Sequence, residues 1–443
     1  MGTAITSMDR QDIVDIFSAA VASVHPAQLL PAYLSVENGS IKIGSHVINL
    51  STKPKIYVIG AGKASAAMAV VTENILGDLI YDGIVVSKRH HSLPCRKIKI
   101  IEAAHPVPDE MGIDAVKETL DLLSNVTEHD IVICLLSGGA SALWCDLPEG
   151  IQLNDIQTMS TALINSGATI SEMNIVRKHL SSIKGGQLLR YCMGAKIFTL
   201  AISDVPDDLP EVIASGPTVA DPSTFAEAID ILRKFSLFND LPENIRTYLD
   251  KGINGINAET IKFGDQLLDN AFNILIANNQ TAINAAAYHA MSLGYKVDVE
   301  RSQVIGETTA EAISLFKRAM RNRWQGPLCI IWGGETTIRV TGTGMGGRNQ
   351  HFVLSALKEL KKIDDPYNIT ILSGGTDGTD GPTEAAGAIA DCNILIKAAE
   401  LNLSIDKYLD NHDAYHFFKQ TNGLIITGAT QTNVMDIMIA IVK

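Results

Sequence analysis

The sequence predicts an α/β protein of two domains, each a mainly parallel sheet flanked by helices. Three observations predict it. The chain has 443 residues, too many for one typical hydrophobic core, and 46% of them are hydrophobic, ample for two. Short β-rich runs alternate with amphipathic helical patterns along most of its length, and the runs are apolar on both faces, as strands covered by helices on both sides must be. The rhythm breaks once, over residues 236–270, where the composition turns polar and rich in Gly and Asn. The expected organisation is therefore an N-terminal domain over residues 1–240, a connecting region over 241–270 and a C-terminal domain over 271–443.

Taken in order, "MGTAITSMDRQDIVDIFSAAV" combines helical periodicity with an early Asp-Arg-Gln-Asp cluster. It lacks the basic, apolar, small-residue order of a secretory signal and is read as part of the fold. "KIYVIG" (55–60) is a strand leading through "GAGKAS" into the helical "ASAAMAVVTENIL". "GIVVSK" (83–88) and "KIKIIEA" (97–103) follow as strands, then the helical "EMGIDAVKETLDLLSNV", the strand "IVICLL" (131–136), a helical pattern within 146–167, and the strand "KIFTLAIS" (196–203). Beyond the break the strands are "NILIAN", "KVDVE", "PLCIIWGG", "NITILSGG" and "GLIITG", and no fixed short period marks a solenoid. The most apolar stretch, "IVICLLSGGASALW", is interrupted by glycines and shorter than a spanning helix. A formal charge of −13 argues against a nucleic-acid or anionic-membrane partner. Six scattered cysteines without a C-x-x-C pair read as reduced thiols, so a soluble cytoplasmic protein is expected.

Four strands end in small residues followed by polar ones: "VIGAGKAS", "LLSGGASAL", "IIWGGETT" and "ILSGGTDGTDG". In open α/β sheets, ligands bind at the carboxyl ends of strands, where glycines let backbone N–H groups approach an anion. One such loop is explained by a tight turn; four with hydroxyl or acidic residues attached point to ligand-facing loops. "GAGKAS" is not a Walker A loop, which needs Gly at Tyr57 and Ser or Thr at Ala64. Nor is it a full dinucleotide fingerprint, which needs Gly or Ala at Ser65 and an acid that "GIVVSKRHH" lacks. What remains is Lys63, flanked by Gly60 and Gly62, able to place a compact charge on a phosphate or on a developing transition-state charge. Ser137, Gly138, Gly139 and Ser141 supply hydroxyls and N–H groups for a phosphate cradle.

"MNIVRKHLSSIKGGQL" contains Arg177, Lys178 and Lys184, with Lys184 beside a glycine pair that invites close backbone approach. "AISDVPDDLPEVIASGP" places Asp204 at the end of a buried strand, with Asp207 and Asp208 following. Clustered carboxylates repel unless they hold a cation or titrate functionally, and the plainer alternative is an Asx-turn. "WGGETTIRVTGTGMGGRNQHF" offers Glu335, Arg348 and Asn349, the arginine being a planar fork suited to phosphate or carboxylate. "SGGTDGTDG" adds Asp377 and Asp380 in a segment too small to build a core. The histidines show no metal-ligand spacing, so no zinc site is assigned.

"GAGKAS", "LLSGGASAL", "VRKHLSSIKGGQL", "ISDVP", "ASGPT", "GGETT", "GGRNQ", "SGGTDGTDGPTEAAGA" and "TGATQTNVMD" stand in the order seen in class II glycerate 2-kinases. The sequence resembles that family, whose C-terminal part is called the MOFRL domain, over nearly its whole length. The resemblance implies a Rossmann-like N-terminal domain, an active-site cleft between the domains, and ATP- and Mg²⁺-dependent phosphorylation of D-glycerate, usually to 2-phosphoglycerate. It matches Lys63 and Arg348 to the family's active-site lysine and arginine. Together with the reading of the loops, Lys63, Arg348 and Asp204 are expected to be catalytic. Gly60, Gly62, Ser137, Gly138, Gly139, Ser141, Lys184, Glu335 and Asn349 are expected to contact ATP, and Asp207, Asp377 and Asp380 to meet Mg²⁺. His351, where many relatives have glutamate, and Ala429 and Gln431, where TGPTGTN is usual, depart from the family pattern. Two alternatives stay open: a hydroxypyruvate reductase, against which the missing ribose-binding acid counts, and a non-catalytic sensor of small phosphorylated acids, which would be expected to lack the charges.

Overall fold

The structure, a computed structural model, describes residues 7–322, 326–363 and 369–443. The first six residues of the N-terminal helical stretch and Asn368 of the expected "NITILSGG" strand lie outside them. The chain folds as two compact units, one of residues 29–276 and one of residues 1–28 with 277–443. The expected connector, 241–270, therefore falls inside the first unit. Its polar composition belongs to an amphipathic helix, Glu243–Ile253, which buries Ile245 and Leu249 against Phe225, Ile229 and Leu232 and turns its charges outward.

In the first unit, β1 (Leu34–Glu37), β2 (Ser40–Ile43) and β3 (His46–Asn49) form a small antiparallel sheet. The main sheet contains β4 (Ile56–Ala61), β5 (Ile80–Lys88), β6 (Ile98–Ala103), β7 (Ile131–Leu136), β8 (Lys196–Ile202) and β9 (Ala271–Ala277). Its order is β6-β5-β4-β7-β8-β9, and β4 pairs in parallel with both β5 and β7. Counted from β4 this is 3-2-1-4-5-6, the doubly wound order, whose direction of winding reverses between β4 and β7. Every residue of β4 and of β7 is buried, as a sheet covered on both faces requires. Helix Ser65–Leu76 follows β4, and helix Glu110–Leu123, opened by Asp109 accepting from the Gly112 N–H, packs Val116 and Leu123 into a core with Ile59, Val132 and Leu136.

The second unit holds β10 (Lys296–Val299), β11 (Val304–Glu307), β12 (Leu328–Thr337), β13 (Ile369–Gly375), β14 (Gly387–Ala390), β15 (Leu424–Ile425) and β16 (Asp436–Val442). The order is β10-β12-β16-β13-β14-β15, with β11 beside β12. This corrects the expectation of a second mainly parallel sheet. β10 and β11 run parallel to β12, but β16 is antiparallel to β12 and β13, and β14 is antiparallel to β13 and β15. The reason lies in "DIMIAIV", which is buried at all seven positions. A run apolar on both faces marks a central strand without fixing its direction. The N-terminal helix Ser7–Ser23 belongs to this unit, where Ile13, Ile16, Phe17 and Ala20 are buried and the helix packs on β13, β16 and helix Asn279–Ser292. The stretch Arg10–Tyr33 is long and apolar enough to cross a membrane, yet half of its most apolar window is buried inside the fold.

Candidate active site

At the reversal point the loops after β4 and β7 are tied together. The Lys63 N–H donates to Gly138 O at 2.9 Å, the Ala64 N–H to Ser137 Oγ at 3.0 Å, and the Ser137 N–H to Ala61 O at 3.2 Å. Ser65 Oγ donates to Leu135 O and lies 3.0 Å from Ser137 Oγ. Such closeness needs glycine. At Gly62, with φ 143°, a Cβ would stand 2.1 Å from Ser137 Oγ, and at Gly60, with φ 155°, one would stand 2.1 Å from Leu135 O. The Ser137 hydroxyl, expected in a phosphate cradle, is buried and spent on this tie. The half-buried Lys63 emerges at the junction, and its Cε lies 3.5 Å from where a side chain on Gly139 would begin.

Beside Gly139 opens a cavity of about 350 Å³, to which Ser141, Lys184 and Asp204 all contribute, together with His105, Asp146 and Arg177. Residues separated by tens of positions are thus brought together by the ends of β7 and β8. Lys184 is buried; its Nζ donates to Trp144 O at 3.0 Å and lies 3.8 Å from Asp146. Asp146 in turn accepts from Ser181 Oγ at 2.5 Å and Ser182 Oγ at 2.7 Å. Ser141 Oγ meets Ser215 Oγ at 3.0 Å, and Ser215 and Ala214 hold left-handed φ values of 60° and 53°. Non-glycine residues in that region store on the order of 1 kcal/mol each and concentrate at functional sites. Asp204 is half-buried on the cavity wall, whereas Asp207 is exposed in a tight turn with φ 62° and does not line the cavity.

In the second unit Arg348 opens helix Arg348–Leu360. Its Nε lies 2.5 Å and its Nη2 3.0 Å from the two oxygens of buried Asp436, and its Nη1 lies 2.6 Å from Glu335. Burial works to lower the pKa of this guanidinium, but Asp436 and Glu335 more than offset it and hold it above the ordinary value. Gly347 offers no capping side chain, and Asp380 replaces it, accepting from the N–H groups of Asn349 at 3.1 Å and Gln350 at 2.8 Å. A Cβ at Gly347 would strike Asp380 Oδ1 at 2.1 Å, which accounts for the glycine before the arginine. Burial pushes the Asp380 carboxyl up to about 6. Asp380, expected to meet a metal, is therefore a helix cap, and Asn349, expected to touch nucleotide, is buried with its amide oxygen accepting from Ser373 Oγ at 2.5 Å. Asp377 accepts from the Thr379 N–H at 3.0 Å, an Asx-turn. Among the described residues no three or more His, Cys, Asp or Glu side chains are grouped to hold a metal ion.

Two residues escaped the sequence reading. Asp436 anchors Arg348, and its only signal was a lone aspartate in an apolar run. Arg177 lines the cavity, although its sequence context shows only one basic residue in a helical pattern. Of the family departures, Gln431 holds φ 60°, the left-handed conformation that the usual glycine adopts without strain, and His351 is buried, stacked on His412 with ring centroids 5.2 Å apart.

Comparison with known proteins agrees with this architecture. A family model described as a domain of unknown function, DUF4147, matches residues 12–250, and the MOFRL family matches residues 328–436. A glycerate 2-kinase of Pyrococcus horikoshii is 39% identical over 98% of this chain and 98% of its own length. A D-glycerate 2-kinase of Thermotoga maritima is 38% identical over 88% of this chain and 91% of its own. An Agrobacterium vitis protein provisionally named a hydroxypyruvate reductase is 39% identical over 97% and 93%. The crystal structure of a Thermotoga maritima glycerate kinase aligns with a TM-score of 0.84 at 32% identity, covering 99% of this chain and 100% of that one. The chain belongs to the glycerate kinase family that joins a DUF4147 domain to a MOFRL domain.

Proposed function

We propose that the chain phosphorylates D-glycerate with ATP to give 2-phosphoglycerate, and that Lys63 stands where the phosphoryl group transfers. The observation that supports this reading is the tied β4–β7 junction, where the Lys63 Cε lies 3.5 Å from the place of a side chain on Gly139, a residue in the wall of the cavity that Ser141, Lys184 and Asp204 also line. Phosphoryl transfer asks a protein for positioning and charge more than for covalent chemistry. Lys63 supplies positive charge for the phosphoryl oxygens, the glycine loops allow close approach of the phosphates, and Asp204 accepts from the attacking hydroxyl. The apolar walls, among them Ile156, Met159 and Leu180, exclude water that would otherwise take the phosphoryl group. Within the second unit, Arg348 can offer Nη1 to a phosphate in place of half-exposed Glu335, while Asp436 keeps the fork oriented.

Mg²⁺ is the ion such a reaction uses, where it neutralises phosphate charge. Among the described residues no dedicated cage is formed for it: Asp380 caps a helix and Asp377 closes a turn. The ion would then come with the nucleotide and would supply charge neutralisation there. All six cysteines are thiols outside any disulfide, which fits a reducing cytoplasm and small-molecule chemistry there. The provisional reductase name of some relatives supplies the second reading. Against it, the third position of the dinucleotide fingerprint is Ser65, tied to Leu135, and β5 ends in Lys88 where an acid would grip ribose. Incubation with ATP, Mg²⁺ and D-glycerate, followed by phosphorus NMR, tests the proposal, and 2-phosphoglycerate is the expected product. Oxidation of NAD(P)H by hydroxypyruvate with no glycerate-dependent ADP would overturn it.

A further inference from the structure

Arg177 lies in the last turn of helix Ile170–Lys178, one turn after Asn174, and both side chains line the 350 Å³ cavity. The basic residues around it are accounted for. Lys178 pairs with buried Asp221 at 3.3 Å, and Lys184 is held by Trp144 O and Asp146. The oxygens of Asp146 are already taken by Ser181 and Ser182. Among the described residues no carboxylate or carbonyl lies within hydrogen-bond or ion-pair distance of the Arg177 guanidinium. Burial lowers its pKa, with only the Cys145 thiol working the other way. A half-buried guanidinium without an anion is costly, and its rigid fork of donors fits a planar, bidentate acceptor.

We infer that Arg177 is the carboxylate anchor of the acceptor substrate, gripping a 2-hydroxy acid so that its hydroxyls point toward Asp204 and Lys63. This rests on the kinase reading above. The cavity itself favours a carboxylate over a phosphate. Lys184 offsets Asp146 at 3.8 Å, and Asp204 shares the wall, so Asp204 repels a group carrying nearly two negative charges more than one carrying a single charge. The carbonyls at the end of the Arg177 helix add negative partial charge in the same sense. The phosphate end is already served by Lys63 and the glycine loops.

The test compares wild type with Arg177→Met and Arg177→Lys, using D-glycerate, its neutral amide and ATP as varied substrates. Loss of a charge-assisted bidentate contact is expected to raise the KM for D-glycerate about 100-fold in Arg177→Met and about tenfold in Arg177→Lys. The KM for ATP is expected to stay within about threefold, since the fork makes no contact with nucleotide in this account. Wild type is expected to prefer glycerate to the amide, and Arg177→Met to lose that preference, a change that mere loosening of the fold would not cause. An unchanged glycerate KM overturns the assignment, and so does a rise confined to ATP, which would make Arg177 a phosphate ligand. Arg177→Lys decides the matter if Arg177→Met shows no cooperative melt. Should wild type form no ADP with glycerate, the kinase reading fails by itself, and calorimetric binding of D-glycerate to wild type and Arg177→Lys then judges the anchor: equal affinities overturn it.

Discussion

Replacing Gly62 by alanine puts one methyl group into the tie between β4 and β7. The new Cβ would lie 2.1 Å from Ser137 Oγ and 2.5 Å from Ser137 O, whereas carbon meets other heavy atoms comfortably at about 3.5 Å. The junction must therefore open by about 1 Å. It cannot give freely, because the Lys63 N–H is bonded to Gly138 O and the Ala64 N–H to Ser137 Oγ. A φ of 143° costs an L-residue about 1–3 kcal/mol and overpacking about 1–3 more, so the expected destabilisation is about 2–6 kcal/mol. Against a typical stability of about 5–15 kcal/mol the variant still folds, with a lowered Tm. The larger effect falls on turnover, because a shift of about 1 Å at Lys63 costs about 100-fold. Gly77→Ala is the control, since its Cβ would meet nothing within 4 Å although φ is 52°. Thermal melts and glycerate-dependent ADP release on both variants read the two effects. If Gly62→Ala melts and turns over like Gly77→Ala, the reasoning about the junction is refuted.

Arg348→Lys keeps the charge but loses the two-pronged contact with buried Asp436, and is expected to cost about 3 kcal/mol in urea unfolding along with reduced turnover. Wild-type stability and activity in that variant would remove the arginine from both roles. His351 should make the second unit acid-sensitive. Burial, and then the neighbouring His412, push its pKa down from 6.5 to about 4, so the folded state binds fewer protons than the unfolded one between those values. Stability from this group is complete above about pH 6.5 and is lost as pH falls toward 4, by up to about 3 kcal/mol. His351→Gln should flatten that slope in pH-dependent melts, and an unchanged slope would contradict the assignment.

The glycine motifs at the ends of β4 and β7 were legible because their chemistry is local. A lysine between strand and helix, and serines after glycines, announce a ligand-facing strand end whichever sheet they join. Ser141, Lys184 and Asp204 were legible as candidates for the same reason, although only the sheet order shows that they share a cavity. Relations carried by distant partners were not legible. Arg348 reads as an open phosphate fork until Asp436, 88 positions away, is seen to fill it. Asp380 reads as a metal ligand until its oxygens are found capping a helix that starts 32 residues earlier, at Arg348. β16 is not among the strands read from the sequence, and its direction is not legible either, because burial on both faces looks alike in parallel and antiparallel neighbours. The N-terminal helix gave no hint that it packs on a sheet made by the C-terminal half, since amphipathicity names a buried face but not the surface that buries it.

The central claim is that Lys63, held at the β4–β7 junction, carries charge stabilisation for phosphoryl transfer to glycerate. The most direct measurement is glycerate-dependent ADP formation by wild type and by Lys63→Ala, each at saturating ATP, Mg²⁺ and D-glycerate. The account predicts that wild type turns over and that Lys63→Ala, folded and with a similar Tm, loses at least about 100-fold in kcat. Near-normal turnover by a folded Lys63→Ala protein would contradict it.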